Sequence, residues 1–541
     1  LEDSHKTPSG PPGWLFLVVG LAAFGLLAAV YGRIWAVDGG LTRFIEIGSE
    51  FNRRGIAAYR DAPKFVDRYP VARWGFDGQH YAQIALDPLL RDPGLKTAID
   101  NPPYRARRIL LPWLAWLGGL GKPAWVLNVY AALNLIFWIP YAAMLAVLFR
   151  PAGWRGLAGF SAMLLTCGVI ESMRAALTDF PAFVLMTGSA MAAGTAGAGL
   201  LALAGLTREV DVMGIVGILD FDLRKREAWT RDVILGLVAF LPMAAWFAYL
   251  TFRLGIASSV SGDNMDWPLR AIAGKLSETL RVARAGGLDW TAFYKNTEDH
   301  ALLTIVATLT QCVYLLTHPD WRSRIWRVGA VFVPFFLCIG SPAWVAHFTV
   351  TRHALPITLA FNVALALRPR RSWIVWFLLG NGFVPYGLHL FWRIAYEQAQ
   401  TTEIRVVGHP RTGAIEAGFA GGWTGAEHSD TKTWRWATAK DARLILHSGA
   451  PVPRASRISL FALSYRPVDL RIETGGRTVW TGRVTGDEHE IQTAEFDLPP
   501  GDSEIDFESL EPPAPSSSDP RELEFMVEDL TVHADSGPTG P

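Results

Sequence analysis

Apolar runs of about 15 to 25 residues, separated by short charged stretches, constrain this chain more than any other feature. A helix needs roughly 20 apolar residues to cross the hydrocarbon of a bilayer. Candidate spans fall near 14–36, 124–148, 156–172, 179–195, 196–207 and 210–222, then near 231–254, 300–318, 328–341, 353–368 and 372–392. Several are short for a full crossing, and the pair within 196–222 reads as two broken helices meeting inside the membrane. The first run, Trp14 to Val37, is too long for a signal peptide and has no clear small-residue cleavage site, so it is expected to be retained.

Orientation follows from the basic residues of the short loops, which favour the cytoplasmic side. Arg150 with Arg155, Arg224-Lys225-Arg226 with Arg231, Arg322 with Arg324 and Arg327, and Arg368 with Arg370 and Arg371 mark the cytoplasmic turns. About 11 spans with the N-terminus inside satisfy all of them, provided that Ile109 to Leu120 does not cross. That stretch is expected to lie on the outer interface as a helix, with Trp113 and Trp116 at headgroup level. The expected organisation is a cytoplasmic N-terminus at 1–13 and a transmembrane domain at 14–392 with outer loops 37–123 and 255–299. A linker at 393–411, an extracytoplasmic domain at 412–535 and a disordered tail at 536–541 follow.

From about residue 400 the pattern changes from apolar runs to alternation. Arg443-Leu-Ile-Leu-His447, Arg457 to Leu463, Val468 to Glu473, Thr478 to Val484 and Leu523 to Val532 alternate apolar and polar residues between Gly, Pro and Asp turns. This predicts an all-β sandwich, interrupted by a Pro/Ser loop from Pro512 to Pro520. Trp423, Trp434 and Trp436 either fill its core or form a stacking platform for sugar rings. Cys167, Cys312 and Cys338 all lie in apolar runs, where a thiol acts as a small hydrophobe. The 50 basic and 50 acidic residues cancel, which removes any global argument for nucleic-acid binding.

Four charged motifs carry the candidate chemistry, because charge near a bilayer is costly. The first outer loop holds Trp74-Gly-Phe-Asp77-Gly78-Gln79-His80-Tyr81-Ala-Gln-Ile84-Ala85, then Tyr104-Arg105-Ala-Arg107-Arg108-Ile-Leu-Leu-Pro112. Asp77 reads either as a helix N-cap or as a carboxylate base. Leu177-Thr178-Asp179-Phe180-Pro181 reads as a helix start or as part of a site, and Leu206-Thr207-Arg208-Glu209-Val210-Asp211 as an internal ion pair or a substrate-facing one. In His347-Phe-Thr-Val-Thr351-Arg352-His353, Arg352 is a phosphate ligand or an interface anchor. Loop charges put all four motifs on the outer side, which favours one shared site.

Together these motifs resemble the multispanning glycosyltransferases of the GT-C fold, and most nearly the GPI-anchor mannosyltransferase family that adds the second mannose, with its bacterial relatives. That family's Trp-Asp-Gly-x-x-Tyr-x-x-Ile-Ala type element is matched by Trp74 to Ala85, with two residues inserted between Trp74 and Asp77. Its Leu-Pro-rich segment is matched by Arg108 to Pro112, its Tyr-Ser-Glu-Ser element by Leu177 to Phe180 with Asp179 in place of Glu, and its Leu-Thr-Arg element by Leu206 to Arg208. The tail resembles carbohydrate-binding-like β-sandwiches in Trp434-Arg-Trp436-Ala and Asp519-Pro-Arg-Glu-Leu.

The resemblance implies a GT-C-like polytopic membrane protein of the bacterial plasma membrane. It would transfer a sugar from a polyprenyl-phosphate donor to an extracytoplasmic glycan or glycolipid, with inversion. It implies Asp77 as base, Arg208 and Arg352 as phosphate ligands, and Asp179 and Glu209 as orienting groups. Trp74, Gln79, His80, Tyr81, Arg105, Arg108 and His353 complete the expected substrate-binding set. No resident cofactor is implied, and a divalent cation is left open. A transporter of lipid-linked sugars and a non-catalytic scaffold presenting a glycan-binding domain are the rival readings.

Overall fold

The computed structural model describes residues 11–65, 75–220, 226–255, 264–286, 297–344, 349–368, 371–396, 404–407, 415–425, 427–428, 433–449, 452–511, 514–515 and 521–534. Trp74, His347 and the expected tails lie outside these residues, apart from 11–13. The chain divides into two compact units, the first ending at Ala395 and the second starting at Tyr396.

The first unit is helical. Among the described residues, three stretches are long and apolar enough to cross a membrane: Gly13–Asp38, Pro123–Arg174 and Arg226–Leu254. Gly13–Asp38 has 26 residues, about 39 Å at the α-helical rise. It stops where Gly39 turns left-handed at φ 68° and returns its N–H to the Trp35 carbonyl. Pro123–Phe149 starts with Pro123 in the first turn, where a missing N–H costs nothing. Both helices expose apolar side chains, Leu17 and Leu21 on one and Ile136, Ile139 and Val147 on the other, a surface suited to lipid.

Several other expected spans are broken. The run 156–172 divides into Gly153–Leu164 and Cys167–Arg174. The division expected between 179–195 and 196–207 falls at Ala193 and Gly194, both at positive φ. The segment expected as a span at 210–222 is instead a 3₁₀ helix, Glu209–Gly217. Its nine residues reach about 18 Å, well short of a bilayer core. The run 372–392 breaks between Trp373–Gly380 and Val384–Tyr396. There Asn381 exchanges reciprocal 3.0 Å amide hydrogen bonds with Asn362 in the buried interior. Ile109 to Leu120 contains a short helix, Leu110–Gly118, in which the Trp113 and Trp116 rings meet edge to face.

The second unit is a pair of sheets. One runs, in spatial order, Ile415–Phe419, Asp441–Ser448, Gly501–Ser509, Val468–Thr474 and Arg477–Val484, all antiparallel. The other orders Phe496–Leu498, Arg454–Leu463, Met526–Ala534, Thr433–Trp436 and Glu427–His428, with His489–Gln492 also beside Arg454–Leu463. Alternation decides which side chains face inward: Leu444 and Leu446, then Ile458, Leu460 and Ala462, join Ile505 and Phe507 in one core. Two expectations are corrected. The linker 393–411 contains a strand, Ile404–Val407, which pairs in parallel with Met526–Ala534. Within the supposed Pro/Ser loop, Ala514–Pro515 pairs with Glu522–Leu523.

The indoles mostly take the core role. Trp423 meets Phe419, Phe507 and Phe525 edge to face and donates to the Arg443 carbonyl at 2.9 Å. Trp436 is buried and stacks on Tyr465, while Trp434 is half-buried and donates to Glu427 at 3.3 Å. Cys167 and Cys312 are buried free thiols, and Cys338 is half-buried.

Candidate functional site

The site begins at the short helix Gly78–Leu86, in the segment between the long apolar helices Gly13–Asp38 and Pro123–Phe149. Its first turn sits so close to the chain that a Cβ at Gly78 would lie 2.3 Å from the Ala175 carbonyl oxygen. Gly75, at φ 63°, makes the turn that delivers this helix. Asp77 precedes the helix, and its side chain makes no capping hydrogen bond. Instead its carboxylate lies 3.0 Å from Arg105 and 3.5 Å from Arg352. Guanidinium brings a full opposite charge to the carboxylate, where a cap offers only an uncharged N–H donor.

The other segments are tied in by backbone contacts. The Ile109 N–H donates to the Leu206 carbonyl at 2.8 Å, joining the first loop to the Leu-Thr-Arg motif. That link brings Arg108 to Glu209 at 3.1 Å. Tyr130 and Asn134, on the helix Pro123–Phe149, donate to the carbonyls of Ala176 and Leu177. They fix the turn from which Asp179 starts its helix. Asp179 is buried, 3.3 Å from Arg208 and 3.5 Å from Arg352. Arg208 also lies 3.4 Å from Asp211 and contacts His353.

Asp77, Arg105, Arg108, Asp179, Arg208, Glu209, Arg352 and His353 therefore form one connected cluster. The other three described candidates are placed differently. Gln79 is buried and accepts the Gly48 N–H at 2.9 Å, which ties the helix to the loop before it. Tyr81 is fully buried, and its hydroxyl accepts from Arg108 at 2.9 Å and Arg105 at 3.4 Å, which makes it a brace for the arginines. His80 packs edge-on against Phe51 and sits 3.6 Å from Asp100.

Residues not foreseen complete the arrangement. Asp100 grips Arg105 with two bonds of 2.8 and 2.7 Å, and Tyr104 accepts from Arg108 at 2.9 Å. Beside the cluster, Arg174 pairs with Glu171 at 2.9 Å and with Glu46. Phe76 lies between the Arg174 and Arg352 guanidinium groups, at 5.9 and 5.8 Å from its ring centre. Glu171 and Arg174 fall at the end of an apolar run, so the cost of charge there was a usable signal. Asp100 and Glu46 sit in polar loop sequence and carried none.

Electrostatics differ from group to group. Burial raises the Asp77 carboxyl, but Arg105 and Arg352 outweigh it and hold the group well below the usual carboxylate range. Burial, reinforced by Arg105, pushes His80 down to about 4, so its imidazole is neutral near pH 7. Burial pushes Glu46 up to about 6 despite Arg174. Among the described residues, no group of three or more His, Cys, Asp or Glu side chains is spaced to hold a metal ion.

A cleft of about 700 Å³ lined by Phe51, Arg54, Lys96, Thr97, Ile99 and Asp100 borders the cluster through Asp100. The Asp77 side chain keeps 28% of its surface accessible, so this carboxylate can be reached. A chemical role follows from the combination. A reachable carboxylate faces guanidinium groups that can neutralise a phosphate, all packed beside apolar helices.

No protein-family model matches the chain, and no curated protein matches it significantly. Among the solved structures that match, two overlap a small part of it. One is the CBM36-1 domain of a multidomain xylanase from the hindgut metagenome of Trinervitermes trinervoides, at 9% identity over 22% of this chain and 96% of that one, with a TM-score of 0.14. The other is a mutant of a family 29 carbohydrate-binding module, CBM29-2, at 13% identity over 24% of this chain and 86% of that one, with a TM-score of 0.15.

Proposed function

We propose that the chain is a membrane glycosyltransferase of the GT-C type. It moves a sugar, with mannose the first candidate, from a polyprenyl-phosphate donor to an extracytoplasmic glycan or glycolipid. One observation carries the reading: Arg352, near residue 350, lies 3.5 Å from both Asp77 of the first loop and Asp179 of the mid-chain motif. Three motifs far apart in sequence thus share one set of charges, the arrangement a phosphate-leaving reaction needs.

In this reading the acceptor hydroxyl gives its proton to the Asp77 carboxylate as its oxygen bonds the anomeric carbon. The bond from that carbon to the phosphate oxygen breaks, and the electron pair leaves with the lipid phosphate. Arg352 and Arg208 neutralise the charge that develops there. A single displacement inverts the anomeric centre. The acceptor arrives from the aqueous side by way of the Asp100 cleft, and the lipid lies between the apolar helices. The chain then sits in a bacterial plasma membrane with its N-terminus inside, about eleven membrane-embedded segments and the β unit outside, where that unit holds glycan.

The test incubates the purified full chain with a panel of polyprenyl-phosphate sugars and a glycan acceptor, and follows donor loss and product anomer by NMR. One donor is expected to be consumed with inversion. Loss of none of them sinks the function, and a retained anomer sinks the single-displacement mechanism.

A further inference from the structure

The four cluster arginines are not equally committed. Arg105 is held by both oxygens of Asp100 and by Asp77, and Arg108 by Glu209, Tyr81 and Tyr104. Arg208 lies between Asp179, Asp211 and His353. Arg208 and Arg352 are the loosely held pair: the carboxylate contacts of Arg208 are 3.3 and 3.4 Å and those of Arg352 both 3.5 Å, and the buried Nε of each has no hydrogen-bond partner. Of these two, Arg352 is the one that bridges Asp77 and Asp179. Its guanidinium rests against the Phe76 ring, a contact that restrains position without using a donor.

Asp77 faces Arg105 from the 102–105 turn and Arg352 from the 349–352 turn, with Arg108 further off. Asp100, His80 and Tyr81 surround Arg105, and Asp179 shares Arg352. Two guanidinium groups on one carboxylate keep it ionised but make it a poor proton acceptor, since base strength falls with pKa. A base so held needs a trigger.

Resting on the reading above, we propose that Arg352 is a shared cation that passes from Asp77 and Asp179 to the donor phosphate, so that Asp77 gains base strength only once the donor is seated. A phosphate offers that guanidinium a bidentate partner which neither carboxylate gives it. Arg105 stays with Asp77, because Asp100 anchors it. Arg352 is here a positioning residue for Asp77 as well as a phosphate ligand. The coupling gives the protein a reason to keep an acid-pairing arginine beside its base: proton acceptance without a donor in place is suppressed.

The test compares two pH profiles of the full chain in detergent, over roughly pH 3.5 to 8. The profile of kcat/KM for the donor reports free-enzyme groups, and that of kcat reports the donor complex. The acid limb of kcat is expected at least about one pH unit above that of kcat/KM in the unaltered chain. In Arg352→Gln the two limbs are expected to coincide. His80→Asn removes an imidazole that burial pushes down to about 4, inside the range scanned, and the separation is expected to survive it.

Coincident limbs in the unaltered chain, a separation undiminished in Arg352→Gln, or one lost in His80→Asn would each overturn the proposal. A second readout needs no turnover. Binding of the sugar-free polyprenyl phosphate at about pH 4, followed by calorimetry in two buffers, is expected to take up more protons in the unaltered chain than in Asp77→Asn, a difference in which the phosphate's own titration cancels. Equal uptake in both overturns the coupling, whereas failure to consume any donor overturns the proposed function alone.

Discussion

At position 77 two uses of one carboxylate compete. An aspartate ahead of a helix ordinarily accepts an N–H of the first turn, yet Asp77 has helical backbone angles, φ −54° and ψ −34°, and turns to arginine. Sequence alone left both uses open because the arginines arrive from residues 105 and 352. Arg208 and Asp179 were legible for a different reason: a charge bordered by apolar runs has to be paired. Tyr81 was read as a substrate ligand, and its buried hydroxyl accepts from both Arg105 and Arg108.

His80 carries a pH prediction. Its folded-state value is pushed down to about 4, mainly by burial and then by Arg105. Between about pH 6.5 and 4 the unfolded chain binds a proton that the folded chain refuses, so stability falls as pH falls through that window and is level above it. Glu46, pushed up to about 6, acts with the opposite sign over part of the range, so the comparison must be with a variant. The thermal midpoint of His80→Asn in detergent should decline less from pH 7 to about pH 4.5 than that of the unaltered chain. Parallel declines would contradict the burial of a neutral imidazole.

Among elements, the strands were the easier to read. Asp441–Ser448 alternates exposed and buried residues along its whole length, the period-two pattern visible in its sequence. Ile404–Val407 was missed because four residues in a polar stretch show little pattern, and its parallel partner lies more than 120 residues away. Two helix breaks were hidden for a related reason: apolar composition continues across Thr166 and Asn381, and hydropathy reports apolarity instead of backbone continuity. The elements that assemble the site meet at close backbone approaches, above all Gly78 against Ala175. Gly78→Ala places a methyl group 2.3 Å from that carbonyl oxygen and must shift the Asp77 turn. Donor consumption should fall at least about tenfold while the protein still elutes as a folded species, since small displacements at a reacting centre are costly. Unchanged turnover would show that the contact does not set the position of Asp77.

For the whole molecule, the change from apolar runs to alternating strands near residue 400 was the most legible feature, and the two compact units meet at Ala395 and Tyr396. The cluster around Asp77 lies entirely in the first unit, so the proposed chemistry asks nothing of the β unit beyond holding acceptor. The number of crossings was less legible, because three described stretches are long and apolar enough to span while the remaining apolar helices are short. The most direct measurement is donor consumption by the full chain against its Asp77→Asn variant at saturating donor. The account predicts a fall of about 10²–10⁴-fold with donor binding retained, the contribution expected of a general base. Turnover within about threefold of the unaltered chain would contradict it.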